Sequence, residues 1–194
     1  MNVRAGTVTI GSTRPFFAEV PAGAVLALGV CLLLLRPLAL GRPGTTLILA
    51  AMYVALAAVS LVVPPRSAGR RLLNPVVAFG LGAGAILLAG LVAGPHLPVP
   101  MAGQAFALNS LAAVSEEAFF RRFLFDRLTP FGPATAVLVT AFLFALIHVP
   151  LYGMPALWVD LGAGLLLSWQ RWATGRWTTS AATHVLANLV AVIR

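Results

Sequence analysis

Residues 45–63 have the sequence TTLILAAMYVALAAVSLVV, which contains no charged side chain and is followed directly by Pro64 and Pro65. A helix that crosses a lipid bilayer needs about 20 mostly apolar residues. Proline cannot continue the hydrogen-bond ladder of a helix, because it lacks a backbone N–H. The stretch therefore predicts one membrane-spanning helix with a defined end.

Six further apolar runs repeat this pattern along the chain, and most of them are followed within a few residues by proline. They cover residues 16–35, 72–93, 101–128, 133–149, 155–170 and 177–193. The run 155–170 is the shortest and contains Asp160, which we expect near the outer end of its helix. The sequence thus predicts an all-α fold, a multi-pass transmembrane helix bundle of about seven spans.

The composition excludes several classes of protein. Of the 194 residues, 60% are hydrophobic and only 9% are charged, whereas a soluble domain carries roughly 25% charged residues. A soluble enzyme, a disordered tail and a nucleic-acid-binding protein are therefore excluded. The single cysteine, Cys31, lies in an apolar run, so neither a disulfide framework nor a thiolate metal cluster is predicted.

The arginines predict the orientation of the bundle. Those in the N-terminal tail and in the loops after spans two, four and six are Arg4, Arg14, Arg66, Arg70, Arg71, Arg127, Arg171 and Arg176. Those in the other connections are Arg36, Arg42 and Arg194. Because cytoplasmic loops carry an excess of positive charge, eight against three predicts a cytoplasmic N-terminus and an external C-terminus.

Three of the runs contain polar side chains that are costly in lipid and therefore mark function or internal pairing. They are Glu116, Glu117 and Arg121 in the fourth run, Phe144 and His148 in the fifth, and His184 and Asn188 in the seventh. Glu117 and Arg121 are four residues apart on one helix face, which favours a structural ion pair. Glu116 points about 100° away from that pair, and we expect it to face a cavity.

The positions of these residues along their helices indicate whether they can meet. At 1.5 Å per residue, Glu116 and His148 lie about 18 and 22 Å from the cytoplasmic ends of their spans, which agrees well. His184 lies only about 11 Å into its span, which agrees less well. Phe144 precedes His148 by one helical turn, so its ring can form a wall beneath the imidazole.

A carboxylate, two imidazoles and an amide in one membrane pocket suit hydrolysis. Glu116 can act as general base on a water molecule, while Asn188 and one histidine donate hydrogen bonds to a developing oxyanion. Alternatively, Glu116, His148 and His184 can hold Zn²⁺ with an open position for water. The chain lacks the H-E-x-x-H motif, and both mechanisms remain open from the residues alone.

The three clusters, in this order, resemble the motifs of the CPBP family of intramembrane proteases, which includes CAAX prenyl endopeptidases and bacteriocin-processing proteins. They have the form E-E-x-x-x-R from Glu116, F-x-x-x-H from Phe144 and H-x-x-x-N from His184. The resemblance covers about residues 101–193. It implies a catalytic core of about four spans at 101–194, preceded by about three N-terminal spans within 1–100.

The resemblance implies an intramembrane endopeptidase, of metallo- or glutamate type, that cleaves a membrane-associated protein or peptide. By this likeness Glu116 activates water with the help of His148, and His184 and Asn188 stabilise the oxyanion. The remaining motif residues, Glu117, Arg121 and Phe144, would shape the site. A metal, if one is used, would be Zn²⁺ on Glu116, His148 and His184.

The expected setting is a bacterial plasma membrane, with the lipid bilayer and a peptide substrate as partners and no nucleic acid. One alternative is a non-catalytic bacteriocin-immunity or membrane-scaffold protein that uses the same pocket for binding. A second is a small transporter whose acidic and imidazole groups carry protons. The sequence shows no inverted repeat of the kind common in transporters, which argues against the second alternative.

Overall fold

The computed structural model describes residues 20–66, 71–93 and 102–193. Within these ranges the chain forms helices joined by short connections, and it contains no β-strand. Arg4, Arg14, Arg70 and Arg194, on which the predicted orientation partly depends, lie outside the described residues.

Seven long helices dominate the described part of the chain. The elements are α1 (Ala22–Ala39), α2 (Thr45–Val62), α3 (Pro75–Ala93), α4 (Ala102–Glu117), a π-helical segment (Ala118–Leu124), α5 (Phe125–Leu128), a 3₁₀ turn (Thr129–Phe131), α6 (Pro133–Leu146), α7 (Val149–Tyr152), α8 (Ala156–Thr174) and α9 (Trp177–Ile193). The long helices correspond to the seven apolar runs, with α4, the π-helical segment and α5 forming the fourth. The predicted all-helical bundle is confirmed.

Three of these segments are by themselves long and apolar enough to cross a membrane. They are α1, α2 and the combined segment Pro133–Tyr152, with mean hydropathies of 2.1, 2.2 and 2.2. Helix α3 is also apolar but is counted only over Pro75–Leu91, which falls short of the required length, and α9 has 17 residues. Helices α4 and α8 carry more polar side chains. The number of seven spans therefore remains a prediction.

The distribution of polar and apolar side chains is inverted relative to a soluble protein. Large apolar residues such as Leu47 and Leu91 are about three-quarters exposed, at 77% and 75%. Ionisable side chains such as Glu117 and Arg121 are instead fully buried. An exposed apolar surface of this extent needs a lipid environment, because monomeric soluble proteins rarely expose large contiguous apolar patches.

The packing brings together the helices that carry the three motifs. Helix α4 packs against α2 and α9, while α6 packs along α8. The π-helical segment contacts α2, α6 and α9 and inserts its aromatic rings, Phe119, Phe120 and Phe123, into the main hydrophobic core. The segment that follows Glu116 and Glu117 is thus the point where the motif-bearing helices meet.

The first helix extends further than predicted. We expected the span to end at Arg36 and Pro37, but α1 continues to Ala39 with Pro37 inside its last turn. Pro37 has no N–H to donate to the carbonyl of Leu33, four residues earlier, and the Nε of Arg36 donates to that carbonyl instead, at 3.0 Å. Assigning Arg36 to an external loop was therefore wrong, since its side chain is buried within the bundle.

Candidate active site

Glu116 lies at the end of α4, immediately before the π-helical segment. Only 3% of its surface is exposed, and the neighbouring Glu117 is fully buried. Single π-helical turns within α-helices frequently occur at functional sites, because they change the direction of side chains locally. The structure therefore places two adjacent carboxylates inside the protein, next to an irregular helix segment.

The two carboxylate oxygens of Glu116 have different partners. Oε1 forms a buried ion pair with Nη1 of Arg36, which comes from α1. Oε2 faces the two histidines, with His148 Nε2 at 3.7 Å and His184 Nε2 at 4.0 Å. The sequence predicted that Glu116 faces a cavity away from the Glu117 pair, but it did not predict this second ion pair.

His148 is oriented by a break in its helix. Its backbone N–H donates to the carbonyl of Ala145 at 3.1 Å, which leaves the Phe144 carbonyl free of its usual helical partner. The Nδ1 of His148 lies 2.7 Å from that carbonyl oxygen. Because a carbonyl can only accept, Nδ1 carries the hydrogen, and Nε2 is the nitrogen directed at Glu116.

His184 is oriented by a carboxylate rather than by a carbonyl. Its Nδ1 lies 3.1 Å from Oε1 of Glu117, and the same oxygen accepts a hydrogen bond from Nη1 of Arg121 at 2.8 Å. The predicted ion pair between Glu117 and Arg121 is thus present. Glu117 also fixes the His184 ring so that Nε2 points toward Glu116.

The ring of Phe144 contacts both histidines of the site and Arg121. Its ring centroid is 4.6 Å from that of His148 and 5.6 Å from that of His184. The guanidinium of Arg121 lies over the same ring at 4.4 Å, within the range of a cation–π interaction. On the other side of His148, the ring of Tyr152 stacks nearly parallel to it at 5.9 Å.

Asn188 contacts a different part of α4. Its Nδ2 donates to the backbone carbonyl of Asn109 at 2.8 Å, and Asn109 lies about two helical turns before Glu116. Along α9, Asn188 is one turn from His184, or about 6 Å. The structure brings Glu116, His148 and His184 together and places Asn188 one turn away along α9.

The residues of the site do not fit a metal ion. Among the described residues, no group of three or more His, Cys, Asp or Glu side chains is arranged to hold one. The carboxylate that the proposed ligand set requires, that of Glu116, is already paired with the cation of Arg36. The Zn²⁺ ligand set of Glu116, His148 and His184 therefore does not fit this arrangement.

Two charged residues near the site were not assigned to it from the sequence. Arg36 occurs in an apolar run immediately before a proline, and nothing local indicates a partner 80 residues away. Asp160 lies near the first turn of α8, within electrostatic reach of His148, His184 and Glu116, which the sequence did not predict. Its Oδ2 is buried and has no hydrogen-bond partner among the described residues.

Comparison with known proteins gives a family match to the region of the chain that contains the three motifs. Residues 98–190 match the model of a family described as type II CAAX prenyl endopeptidase Rce1-like. Searches of curated proteins and of solved structures gave no match. The matched range contains all three motifs and the Glu116, His148 and His184 cluster. Residues 98–190, just under half of this membrane protein, therefore place it with the Rce1-like family of type II CAAX prenyl endopeptidases by similarity.

Proposed function

We propose that this protein is an intramembrane endopeptidase in which Glu116 activates the attacking water. The observation that carries the proposal is the asymmetry of the Glu116 carboxylate. Arg36 holds Oε1, while Oε2 is directed at the Nε2 atoms of His148 and His184. A carboxylate held in this way has one oxygen available to accept a proton.

The position of the water follows from the hydrogen-bond roles of its neighbours. Since Nδ1 of His148 donates to Phe144, Nε2 of the neutral ring is an acceptor, as is Oε2 of Glu116. These two acceptors are 3.7 Å apart, and one water molecule can donate to both. Glu116 then takes one proton from the water, while the oxygen of the water attacks the carbonyl carbon of the peptide bond.

His184 is suited to the opposite role, that of a donor. When its Nε2 also carries a hydrogen, the ring is positively charged, and Glu117 at Nδ1 can balance that charge as the acid of a catalytic triad does. His184 Nε2–H would then donate to the developing oxyanion. The second N–H of Asn188, one turn along α9, offers another donor, and a single such donor contributes about 10²–10³ in rate.

The reaction is completed by a return of the proton. When the tetrahedral intermediate collapses, the C–N bond breaks and the leaving amine takes the proton from Glu116. The products are a new carboxylate and a new ammonium group, which takes the second proton of the water from the carboxylic acid, and Glu116 returns to its ionised state beside Arg36. The substrate would be a protein or peptide associated with the membrane, because the site lies inside the helix bundle.

The test compares wild type with Glu116→Gln, which keeps the size of the side chain but removes the proton acceptor. Newly formed peptide termini would be measured by quantitative profiling of membranes that contain each protein at equal folded abundance. We expect termini that occur with wild type and are lost with Glu116→Gln. Asp126→Asn is the matched control, since Asp126 is an equally buried carboxylate paired with Arg171.

The two outcomes lead to different functions. Termini that survive in Asp126→Asn and disappear in Glu116→Gln would support the peptidase. If wild type produces no specific termini although it is inserted and folded, the peptidase proposal is wrong. The alternative of a non-catalytic immunity or scaffold protein would then be favoured, and Glu116→Gln could be tested for loss of protection or of binding.

A further inference from the structure

A shallow groove of about 230 Å³ lies between the first turns of α3 and α9. The chain segments before these two helices are joined, because the N–H groups of Leu72 and Leu73 both donate to the carbonyl of Ala173, at 2.8 and 2.9 Å. These segments belong to the arginine-containing connections that we predict face the cytoplasm. The exposed Trp172 lies beside them, and tryptophan is enriched where a membrane protein meets the interface. The groove therefore lies at an end of the bundle, where lipid headgroups are expected.

The groove is polar at one end and apolar at the other. Its polar end is lined by Arg176, in the turn before α9, and by Thr178 and Thr179 in the first turn of that helix. Phe79 of α3 and Ala182 of α9 line it about one helical turn, or about 5 Å, further into the bundle. A molecule with a polar head and an apolar chain matches this gradient.

The polar end of the groove favours an anion. Arg176 is exposed and forms no ion pair with another described residue, and no acidic side chain of the described chain lines the groove. A guanidinium can only donate hydrogen bonds, so the Arg176 side chain cannot cap the N–H groups in the first turn of α9, which have no partner within the helix. The helix dipole adds a partial positive charge at the same place.

Thr179 points to a ligand independently of the helix end. Only 6% of its surface is exposed, yet it lines the groove, and its hydroxyl forms no hydrogen bond with another described residue. The hydroxyl of the neighbouring Ser180, by contrast, donates to the carbonyl of Leu167 at 2.8 Å. A largely buried hydroxyl without a partner is costly, and a hydrogen-bonding group in the groove would remove that cost.

The turn that carries Arg176 is fixed by the protein itself. The backbone N–H of Arg176 donates to Oγ1 of Thr174 at 3.1 Å, and Thr174 is fully buried. Gly175 has a φ of +66°, in the left-handed region that glycine adopts readily. Because this backbone is ordered before anything binds, less conformational entropy is lost on binding.

We infer that the groove binds one anionic phospholipid. Its phosphate would contact Arg176 and the hydroxyls of Thr178 and Thr179. One of its acyl chains would lie beside Phe79 and Ala182, whereas a free phosphate would leave this apolar end unoccupied. The bound lipid would link α3, which lies outside the region that matches the peptidase family, to α9 within it. The inference does not depend on the proposed peptidase activity.

The test titrates the purified chain, in a neutral detergent, with phosphatidylglycerol or with phosphatidylcholine that carries the same acyl chains. Native mass spectrometry would give the dissociation constant of the first bound lipid. Arg176→Gln removes the charge at the polar end, and Ala182→Phe obstructs the apolar end. Arg66→Gln is the matched control, because Arg66 is also exposed on the predicted cytoplasmic side but does not line the groove.

We expect wild type to bind phosphatidylglycerol about fivefold or more tightly than phosphatidylcholine, the factor that corresponds to the attraction of one arginine to an anionic membrane surface. Arg176→Gln should remove this preference, and Ala182→Phe should weaken the binding of phosphatidylglycerol. Arg66→Gln should keep the wild-type values. If Arg176→Gln does not fold, Thr179→Val tests the same end, since it removes the hydroxyl while keeping the size, and it should also weaken binding.

Several outcomes would overturn the inference. Equal affinity of wild type for the two lipids would show that the groove does not select an anion. Equal losses in Arg176→Gln and Arg66→Gln would show that the attraction is spread over the surface. Displacement of the lipid by an equal concentration of inorganic phosphate, or unchanged binding in Ala182→Phe, would show that the apolar end holds no acyl chain.

Discussion

At the scale of single residues, Arg36 connects the N-terminal helices to the candidate active site. Its Nε satisfies the carbonyl that Pro37 leaves free, and its Nη1 pairs with Glu116. Arg36 lies outside the region 98–190 that matches the peptidase family. The N-terminal part of this chain, which includes two candidate membrane spans, therefore also contributes a charge to the candidate site.

We predict that Arg36→Met destabilises the protein by about 3–5 kcal/mol, because it leaves the Glu116 carboxylate buried without a compensating charge. The free energy of unfolding would be measured by denaturant titration in detergent. Arg42→Met is the matched control, since Arg42 is exposed in the turn after α1, and it should have little effect.

The double variant Arg36→Met with Glu116→Gln distinguishes the ion pair from general packing. Removing both charges leaves no uncompensated carboxylate, so we expect the double variant to be more stable than Arg36→Met alone. If the two substitutions instead destabilise the protein additively, the two side chains do not interact and the assigned geometry of the site is wrong.

The two ion pairs also show how far the site could be predicted from the sequence. Glu117 and Arg121 are four residues apart, so helical geometry alone indicates their contact. Arg36 and Glu116 are 80 residues apart, and only the packing of α1 against the bundle brings them together. The position of Asp160 near the histidines likewise depends on how α8 packs, which a single sequence does not encode locally.

At the scale of elements, most helix boundaries followed from simple rules, whereas the ends of α1 and α8 and the irregular segments did not. The predicted runs 45–63 and 177–193 agree closely with α2 (Thr45–Val62) and α9 (Trp177–Ile193), because long apolar runs and proline act locally. The π-helical segment Ala118–Leu124 was predicted only as part of a continuous span. Its extra residue per turn is stabilised by tertiary packing of its aromatic rings, which hydrophobic periodicity does not reveal.

The contact between α6 and α8 leads to a second prediction. A Cβ added at Gly164 would lie 2.8 Å from the backbone carbonyl oxygen of Ala141, so Gly164→Ala forces the two helices apart. The Gly164 carbonyl also accepts a hydrogen bond from Arg121 at 3.2 Å. We expect a loss of about 1–3 kcal/mol, the usual cost of overpacking, measured by unfolding in detergent.

Gly80→Ala serves as the control for this substitution, because its Cβ meets no atom within 4 Å. The two variants change helix propensity by the same amount, so only the interhelical contact differs between them. Equal stability of Gly164→Ala and Gly80→Ala would contradict the close approach of α6 and α8.

At the scale of the whole molecule, the structure changes which arginines count as loop charges in the prediction of membrane orientation. Two of the arginines counted as loop charges, Arg36 and Arg171, are buried and paired with Glu116 and Asp126. Removing one from each side of the count leaves seven loop arginines against two. The excess of five arginines on the predicted cytoplasmic side is therefore unchanged, although Arg171 and Arg36 no longer contribute to the count.

We accordingly predict that the N-terminus lies in the cytoplasm and the C-terminus on the opposite side of the membrane, as an odd number of spans requires. The test fuses to each terminus in turn a fluorescent protein that folds only in the cytoplasm and a phosphatase that is active only outside it. The N-terminal fusion should be fluorescent, and the C-terminal fusion should show phosphatase activity, because loops that are rich in arginine stay on the cytoplasmic side of the membrane.

Termini on the same side would imply an even number of spans and would contradict the assignment of seven helices as seven spans. An inverted result, with the termini still on opposite sides, would preserve the count and contradict only the charge argument.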